Sequence, residues 1–514
     1  MLEIYDCTLR EGEQAGGVSF SVKDRVDIVK ALDEFGIEFV EVGWPIQEEV
    51  LEAFEALEKE KLGTKLVAFG STSLVKDVEQ DANLNSIIES KAKYACIFGK
   101  TWLEHIEKQL KISKEENLEK IFKSITFLKK NRLDVFYDAE HYFDGFKANS
   151  DYAFATIKSA SLAGASRIIL CDTNGGSLPE EVKEIVKKTA DFLKENKLNA
   201  KLGVHIHNDS GLALANSLEA LPFIEHVQGT INGLGERVGN LDLCEFIPLL
   251  MLKKKMKLSF NLEKLKPLSN LVYKAANLPS QIRQAFVSER AFSHKGGVHI
   301  DATSKGASYS HIKPEDLGLE HSLILTSLGG SACVVSTAGK FGIELDKKDE
   351  KVKTKIKEVI DYLREQEKRG YDLGNIEAEQ FMIINKFFGN YKEFFKIEKW
   401  EISTGDKGSK AFVKLKINGD EFEEQEQVSG GPVEALYSAL KKAVSKKYPE
   451  IDKLELTDYK VRIAKAEGSE SSVRTSIDFS DGESFSTVGV SENIILSSLE
   501  AIEKAFNYYL NLIN

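Results

Sequence analysis

Cysteine is scarce in this chain, and what there is lies scattered. Cys7, Cys96, Cys171, Cys244 and Cys333 are spread through 514 residues with no close pair. That spacing excludes a disulfide framework and a thiolate zinc site, and it fits reduced thiols. Long apolar runs are missing too: none approaches the ~20 residues needed to cross a bilayer, so no membrane partner is expected. The N-terminus runs straight into Leu2-Glu3-Ile4-Tyr5-Asp6 without a basic-then-apolar leader, and a cytoplasmic location is the expectation. Positive charge is in deficit: 69 Lys and Arg against 81 Asp and Glu give a net charge of −12, which argues against a nucleic-acid surface. The sequence has no P-loop. Nor does any strand lead into GxGxxG with an acidic residue ~20 positions on, which excludes a nicotinamide site of that kind. What is present is core-forming material, with 42% hydrophobic residues in a length that suggests about three units.

From residue 2 to about 255, short β-branched or apolar runs alternate with amphipathic stretches. The pattern predicts strands at 2–7, 39–44, 65–69, 94–98, 133–138, 167–171, 202–207 and 226–231. Helical spacing of apolar residues marks 22–35, 117–130, 179–194 and 242–253, with Ser21 and Pro179 as helix starts. Eight strand-then-helix units in roughly 250 residues is the count and size of a (β/α)₈ barrel, with an open doubly wound sheet as the alternative. Residues 260 to 390 are helical and charged, interrupted by Lys295-Gly296-Gly297 and Leu328-Gly329-Gly330. The last 120 or so residues hold a weak repeat. Strand patterns at 412–416 and 473–477 each run into a glycine turn, Asn418-Gly419 and Asp481-Gly482. Gly419 and Gly482 stand 63 apart, as do Phe422 and Phe485, and Leu436 and Leu499. Two copies of hairpin-then-helix make a pseudo-twofold α+β module with a regulatory or dimerising look; coincidence between two ordinary hairpins is the alternative.

The sharpest local signal is Val204-His205-Ile206-His207-Asn208-Asp209. Side chains two apart on a strand share a face, so His205 and His207 converge at the C-terminal end of predicted strand seven, the face where barrel active sites lie. The pair reads either as metal ligands or as two hydrogen-bonded core histidines. A two-histidine site needs an oxygen ligand. Asp6-Cys7-Thr8-Leu9-Arg10-Glu11-Gly12-Glu13-Gln14 offers carboxylates at the end of strand one, although a salt-bridged loop is an equal reading. Further polar groups stand at other strand ends: Asp138, Glu140 and His141; Asp172-Thr173-Asn174-Gly175-Gly176; and the stretch 232–240. Polar residues at five of eight strand ends, all on one rim, outweigh the bland readings taken together.

The segments 6–14 and 205–209 resemble the two signatures of the Asp-Arg-Glu metal-dependent barrel superfamily, which contains the isopropylmalate, homocitrate and citramalate synthases and related lyases. The stretch 232–240 is similar to the family's third motif. Gly43-Trp44-Pro45, 67–72, 136–141 and 170–176 resemble the long form of citramalate synthase most closely, and the resemblance covers essentially the whole chain. It implies an acyltransferase that condenses acetyl-CoA with pyruvate to give (R)-citramalate and CoA for isoleucine biosynthesis. The alternative is 2-isopropylmalate, homocitrate or Re-type citrate synthesis from another 2-oxo acid. By the same resemblance, a divalent metal ion (Zn, Mn or Mg) is held by Glu11, His205, His207 and Asn240. Arg10 binds substrate and stabilises the developing alkoxide. Thr173 holds the substrate carboxylate and Glu140 faces the acetyl group. His299 belongs to the relay that takes a proton from the acetyl methyl, with Tyr309 as a further catalytic residue and Asp301 as a substrate-binding one. The organisation implied is a catalytic barrel at 1–260, helical connecting subdomains completing the site at 261–392, and a regulatory domain at 393–514 that takes an amino-acid effector, in a homodimer. Glu11 departs from the aspartate that long-form citramalate synthases usually carry after the motif arginine, and matches homocitrate synthases instead. A non-catalytic barrel that only binds an effector is the reading from another class, and it predicts neither metal nor turnover.

Overall fold

The structure is a computed structural model and describes residues 2–288, 290–294, 310–374, 376–465 and 471–513. The chain divides into two compact units, Met1–Ala291 with Ile312–Glu320, and Phe292–His311 with His321–Asn514.

The first unit is a closed eight-stranded parallel barrel in sequential order. Its strands are β1 (Glu3–Asp6), β2 (Phe39–Gly43), β3 (Lys65–Ser71), β4 (Tyr94–Lys100), β5 (Asp134–Glu140), β6 (Arg167–Asp172), β7 (Lys201–Ile206) and β8 (His226–Gly229), with β8 pairing back onto β1. The open-sheet alternative is thereby excluded. Inward side chains fill the barrel in layers: Tyr5, Phe39, Phe136 and Ile169 with Val67, Phe69, Cys96 and Cys171 form one apolar cluster. Below it, at the N-terminal end of the strands, a buried charge network closes the barrel. Arg167 donates to both oxygens of Glu3 at 2.8 and 2.9 Å, Lys201 also reaches Glu3, and His226 Nδ1 lies 3.3 Å from it. Stability and chemistry thus occupy opposite ends of one barrel.

The helix Val22–Phe35 shows how local sequence serves the site. Ser21 caps it through a reciprocal box with Asp24, and Gly36 ends it with φ 106°. Ile28, Val29, Leu32 and Phe35 bury one stripe on the barrel. On its first turn Arg25, 1% exposed, donates to the carbonyls of Leu9 and Val42 at 2.9 Å each and to Glu13 at 2.6 Å. One guanidinium therefore pins the loop that carries Arg10 and Glu11.

In the second unit the helices Gly330–Lys340, Glu350–Arg369 and Glu377–Phe388 precede two repeats. Each repeat is a three-stranded antiparallel sheet and a helix: Lys396–Gly405, Gly408–Ile417 and Asp420–Val428 with Pro432–Ser445, then Glu455–Lys465, Ser472–Ser480 and Ser484–Ser491 with Ile494–Ile513. Residues of both helices, among them Leu436, Leu440, Leu499 and Ile502, share one core. The first hairpin turns on Asn418 and Gly419, both at positive φ, with Ile417 opposite Asp420. The second turn is one residue longer, with Ser480 opposite Ser484. No helix among the described residues is long and apolar enough to cross a membrane.

Candidate active site

At the C-terminal rim of the barrel, Glu11 from the loop after β1 meets His205 on β7 and His207 just beyond it. One donor atom from each of the three lies within 4.8 Å of the others, and all three side chains are buried. The two imidazoles sit with centroids 5.1 Å apart. Asn240 follows β8 and forms an isolated bridge with His207; its amide lies against both Glu11 and His205. A Cβ on Gly235 would stand 2.0 Å from Asn240 Nδ2, so the glycine is what lets the asparagine turn inward.

The loop after β1 presents three acidic side chains, and their partners separate them. Asp6 accepts the Thr8 amide at 3.0 Å and its hydroxyl at 2.7 Å, closing the turn. Glu13 is taken by Arg25 and by the Phe20 amide at 3.0 Å. Glu11 gives one oxygen to Arg10, while its Oε1 is buried without a hydrogen-bond partner. Asn240 Oδ1 is buried and unpartnered as well. Burial alone would raise the Glu11 carboxyl, but the Arg10 guanidinium beside it holds it well below its ordinary value. Burial drives the His207 imidazole down to about 3 and lowers His205 as well, so both rings are neutral. An ionised carboxylate, two neutral imidazoles and two orphaned oxygens converging on one point fit a divalent cation.

Arg10 is held from two sides. Its Nε donates to Glu41 Oε1 at 2.5 Å, and its guanidinium carbon stands 3.8 Å over the Phe69 ring. Glu41, fully buried on β2, also accepts the Tyr5 hydroxyl. On β5 and β6, Glu140 pairs with Lys100 at 2.7 Å, and Thr173 Oγ1 accepts the His141 amide at 2.9 Å, which keeps the threonine hydroxyl hydrogen free to donate. His141 occupies a left-handed position (φ 56°) and its ring lies 4.2 Å from that of His105. Arg237 ties the rim together. It is bidentate on Asp209 at 2.7 and 2.8 Å, donates to the Thr173 carbonyl at 2.7 Å, and sits 3.1 Å from His207 Nδ1.

Thus the structure brings Arg10, Glu11, His205, His207 and Asn240 together, and places Glu140 and Thr173 on neighbouring strand ends. His299, Asp301 and Tyr309 lie outside the described residues. Sequence reasoning missed Glu41, Gln228 and the clamping arginines 25 and 237. The signal for the first two is a polar residue at an inward strand position, in Phe39-Val40-Glu41-Val42 and His226-Val227-Gln228-Gly229.

Comparison with known proteins agrees with this geometry. The HMGL-like family matches residues 1–272, the homocitrate synthase post-HMGL domain-like family residues 286–364, and the LeuA allosteric (dimerisation) domain residues 376–510. The chain is 41% identical to the (R)-citramalate synthase of Geobacter sulfurreducens, over 99% of this chain and 98% of that one. It is 40% identical to the enzymes of the same name from Aquifex aeolicus and Sulfolobus acidocaldarius, each over 99% of this chain and 97% of the other. A barrel with a carboxylate–histidine–histidine rim, matched end to end by such relatives, belongs to the HMGL-like family and, within it, to the (R)-citramalate synthases.

Proposed function

We propose that this chain condenses acetyl-CoA with pyruvate to give (R)-citramalate and CoA. The observation that carries the reading is the buried Glu11–His205–His207 cluster beside Arg10, in a chain similar over its whole length to (R)-citramalate synthases. Glu11, His205, His207 and Asn240 would hold a divalent ion such as Zn, Mn or Mg, which when bound supplies Lewis acidity toward a 2-oxo acid. The remaining work falls to side chains. Arg10, fixed by Glu41 and Phe69, offers a permanent positive charge where negative charge develops on the oxo-acid carbonyl oxygen. Thr173 presents its hydroxyl hydrogen to the substrate carboxylate. Glu140, neutralised by Lys100, faces the acetyl group. His299 and Tyr309 are assigned to the proton relay, and Asp301 to substrate binding, by the resemblance alone. The acetyl methyl carbon loses a proton and bonds to the carbonyl carbon of pyruvate, whose oxygen gains a proton. Water then cleaves the thioester and releases CoA.

The organisation follows the same reading: a catalytic barrel over 1–260, connecting subdomains over 261–392 and a regulatory, dimerising module over 393–514 that takes an amino-acid effector, isoleucine as the pathway's end product. Glu11, which matches homocitrate synthases, is the observation favouring a second reading in which a larger 2-oxo acid is used. One or two methylenes change discrimination by only ~1–3 kcal/mol, so the substrate is decided by assay. CoA release from acetyl-CoA is measured with pyruvate, 2-oxoisovalerate, 2-oxoglutarate and oxaloacetate. Pyruvate is expected to give the highest kcat/KM, and any other ranking rejects the pyruvate assignment.

A further inference from the structure

Beneath the cluster of Glu11, His205 and His207, a polar chain crosses an otherwise apolar barrel interior. It runs from Asp138 on β5 through Gln228 on β8 to His205 on β7, all at inward positions. Gln228 is 1% exposed and Asp138 is 4% exposed. Gln228 Nε2 donates to Asp138 Oδ1 at 3.1 Å and lies 3.8 Å from Cys96 Sγ. Gln228 Oε1 stands 2.9 Å from His205 Nδ1. The neighbours on this level are Phe69, Cys96 and Cys171, none of which needs a buried amide to pack against it. Such a group is costly there unless each of its ends is satisfied.

We infer that Gln228, anchored by Asp138, is a positioning residue that keeps the His205 proton on Nδ1 and so leaves Nε2 free to take a cation. A primary amide has one end that only accepts and one that only donates. With the donor end committed to a carboxyl oxygen, the end that faces His205 is an oxygen, and an oxygen can be met only by an N–H. In a neutral imidazole that places the proton on Nδ1 and the lone pair on Nε2, the form a metal ligand requires. The reversed amide would set Oε1 against Asp138 Oδ1, an arrangement that only a protonated Asp138 would satisfy. His207 shows the contrast. Its Nδ1 faces the Arg237 guanidinium, which can only donate, so that contact favours a lone pair, not a proton, on Nδ1. Of the two rings, only His205 has a partner that holds the proton on Nδ1.

This inference rests on the metal-site reading above, and the test separates the two. The metal-free wild-type chain, Gln228→Met and Gln228→Glu are compared by two measurements. One is the ¹⁵N signature of the His205 ring, assigned with a His205→Gln variant. The other is a Mn²⁺ titration, with thermal unfolding of the metal-free proteins as the control for folding. Methionine keeps the volume and removes the acceptor. Glutamate keeps an acceptor toward Nδ1 and shares a proton with Asp138. The expected result is an Nδ1–H tautomer in wild type and in Gln228→Glu, with Mn²⁺ binding weakened ~10–100-fold in Gln228→Met and restored toward wild type in Gln228→Glu. A proton found on His205 Nε2 in the wild type overturns the inference, as does a Gln228→Met protein that binds Mn²⁺ as tightly as wild type. If Gln228→Met does not fold, the wild-type and Gln228→Glu tautomers decide the matter. A wild-type chain that takes up no divalent ion defeats the metal-site reading instead, and the ring tautomer still answers for Gln228.

Discussion

At the scale of single residues, function here depends on which partner each charge finds. Asp6, Glu11 and Glu13 occupy one short segment, yet Thr8, Arg25 and the Phe20 amide satisfy the outer two and leave Glu11 Oε1 facing the histidines. We predict that His207→Ala lowers turnover by at least ~10²-fold, the upper end of losses seen when only the outer partners of a ligand are removed. Its circular dichroism should stay that of a folded protein; wild-type turnover in this variant would remove the metal reading. The opposite end of the barrel yields a prediction about stability. Burial would raise the Glu3 carboxyl, but hydrogen bonds from His226, Arg167 and Lys201 hold it far below its ordinary value of 4.5. The folded-state value is the depressed one, so the contribution is complete above pH 4.5 and fades as the pH falls below that. Glu3→Gln is therefore expected to cost up to ~3–5 kcal/mol at pH 7, because it leaves the buried Arg167 guanidinium without its bidentate carboxylate partner. The gap from wild type should narrow in urea unfolding at pH 4.

At the scale of elements, the barrel strands and the capped helix Val22–Phe35 were legible because their information is local: apolar periodicity, a capping serine, a terminal glycine. The first strand of each C-terminal repeat, Lys396–Gly405 and Glu455–Lys465, was not. Lys396–Gly405 is exposed along most of its length and carries charges at many positions, so no alternation announces it. In the second unit a buried ion cluster joins two helices. Lys504 on Ile494–Ile513 reaches Glu379 on Glu377–Phe388 at 3.3 Å, Glu500 at 3.1 Å and the Val488 carbonyl at 2.7 Å. Lys504→Met leaves the buried Glu379 carboxylate without its cation and is expected to destabilise this unit by ~3–5 kcal/mol. Calorimetry should show that loss as a lowered transition for the second unit, with the barrel transition unmoved.

For the whole molecule, the repeats matter through what they share with the helices before them. Val488 and Val490 of the second repeat sit in one core with Leu363 and Ile383. A chain ending near residue 395 loses that covering along with both repeats. It should retain no inhibition by isoleucine in whatever CoA-releasing activity remains, and inhibition that persists in the truncated chain would place the effector elsewhere.

The eight-fold strand–helix alternation, the paired histidines on one strand face and the 63-residue repeat are all readable in the residue order. Each is written in residues close enough together to be read as a period or a motif. Which carboxylate joins the histidines, what steadies Arg10 and what faces His205 Nδ1 emerge from the folded barrel alone. Those outcomes come from contacts between residues far apart in the chain: Arg25 with Glu13, Arg10 with Glu41, and Gln228 with Asp138 and His205. A polar residue on a strand does not announce its partner. The closure of the barrel brings the strands' inward faces together, and the dry interior then requires each buried charge and amide to be matched.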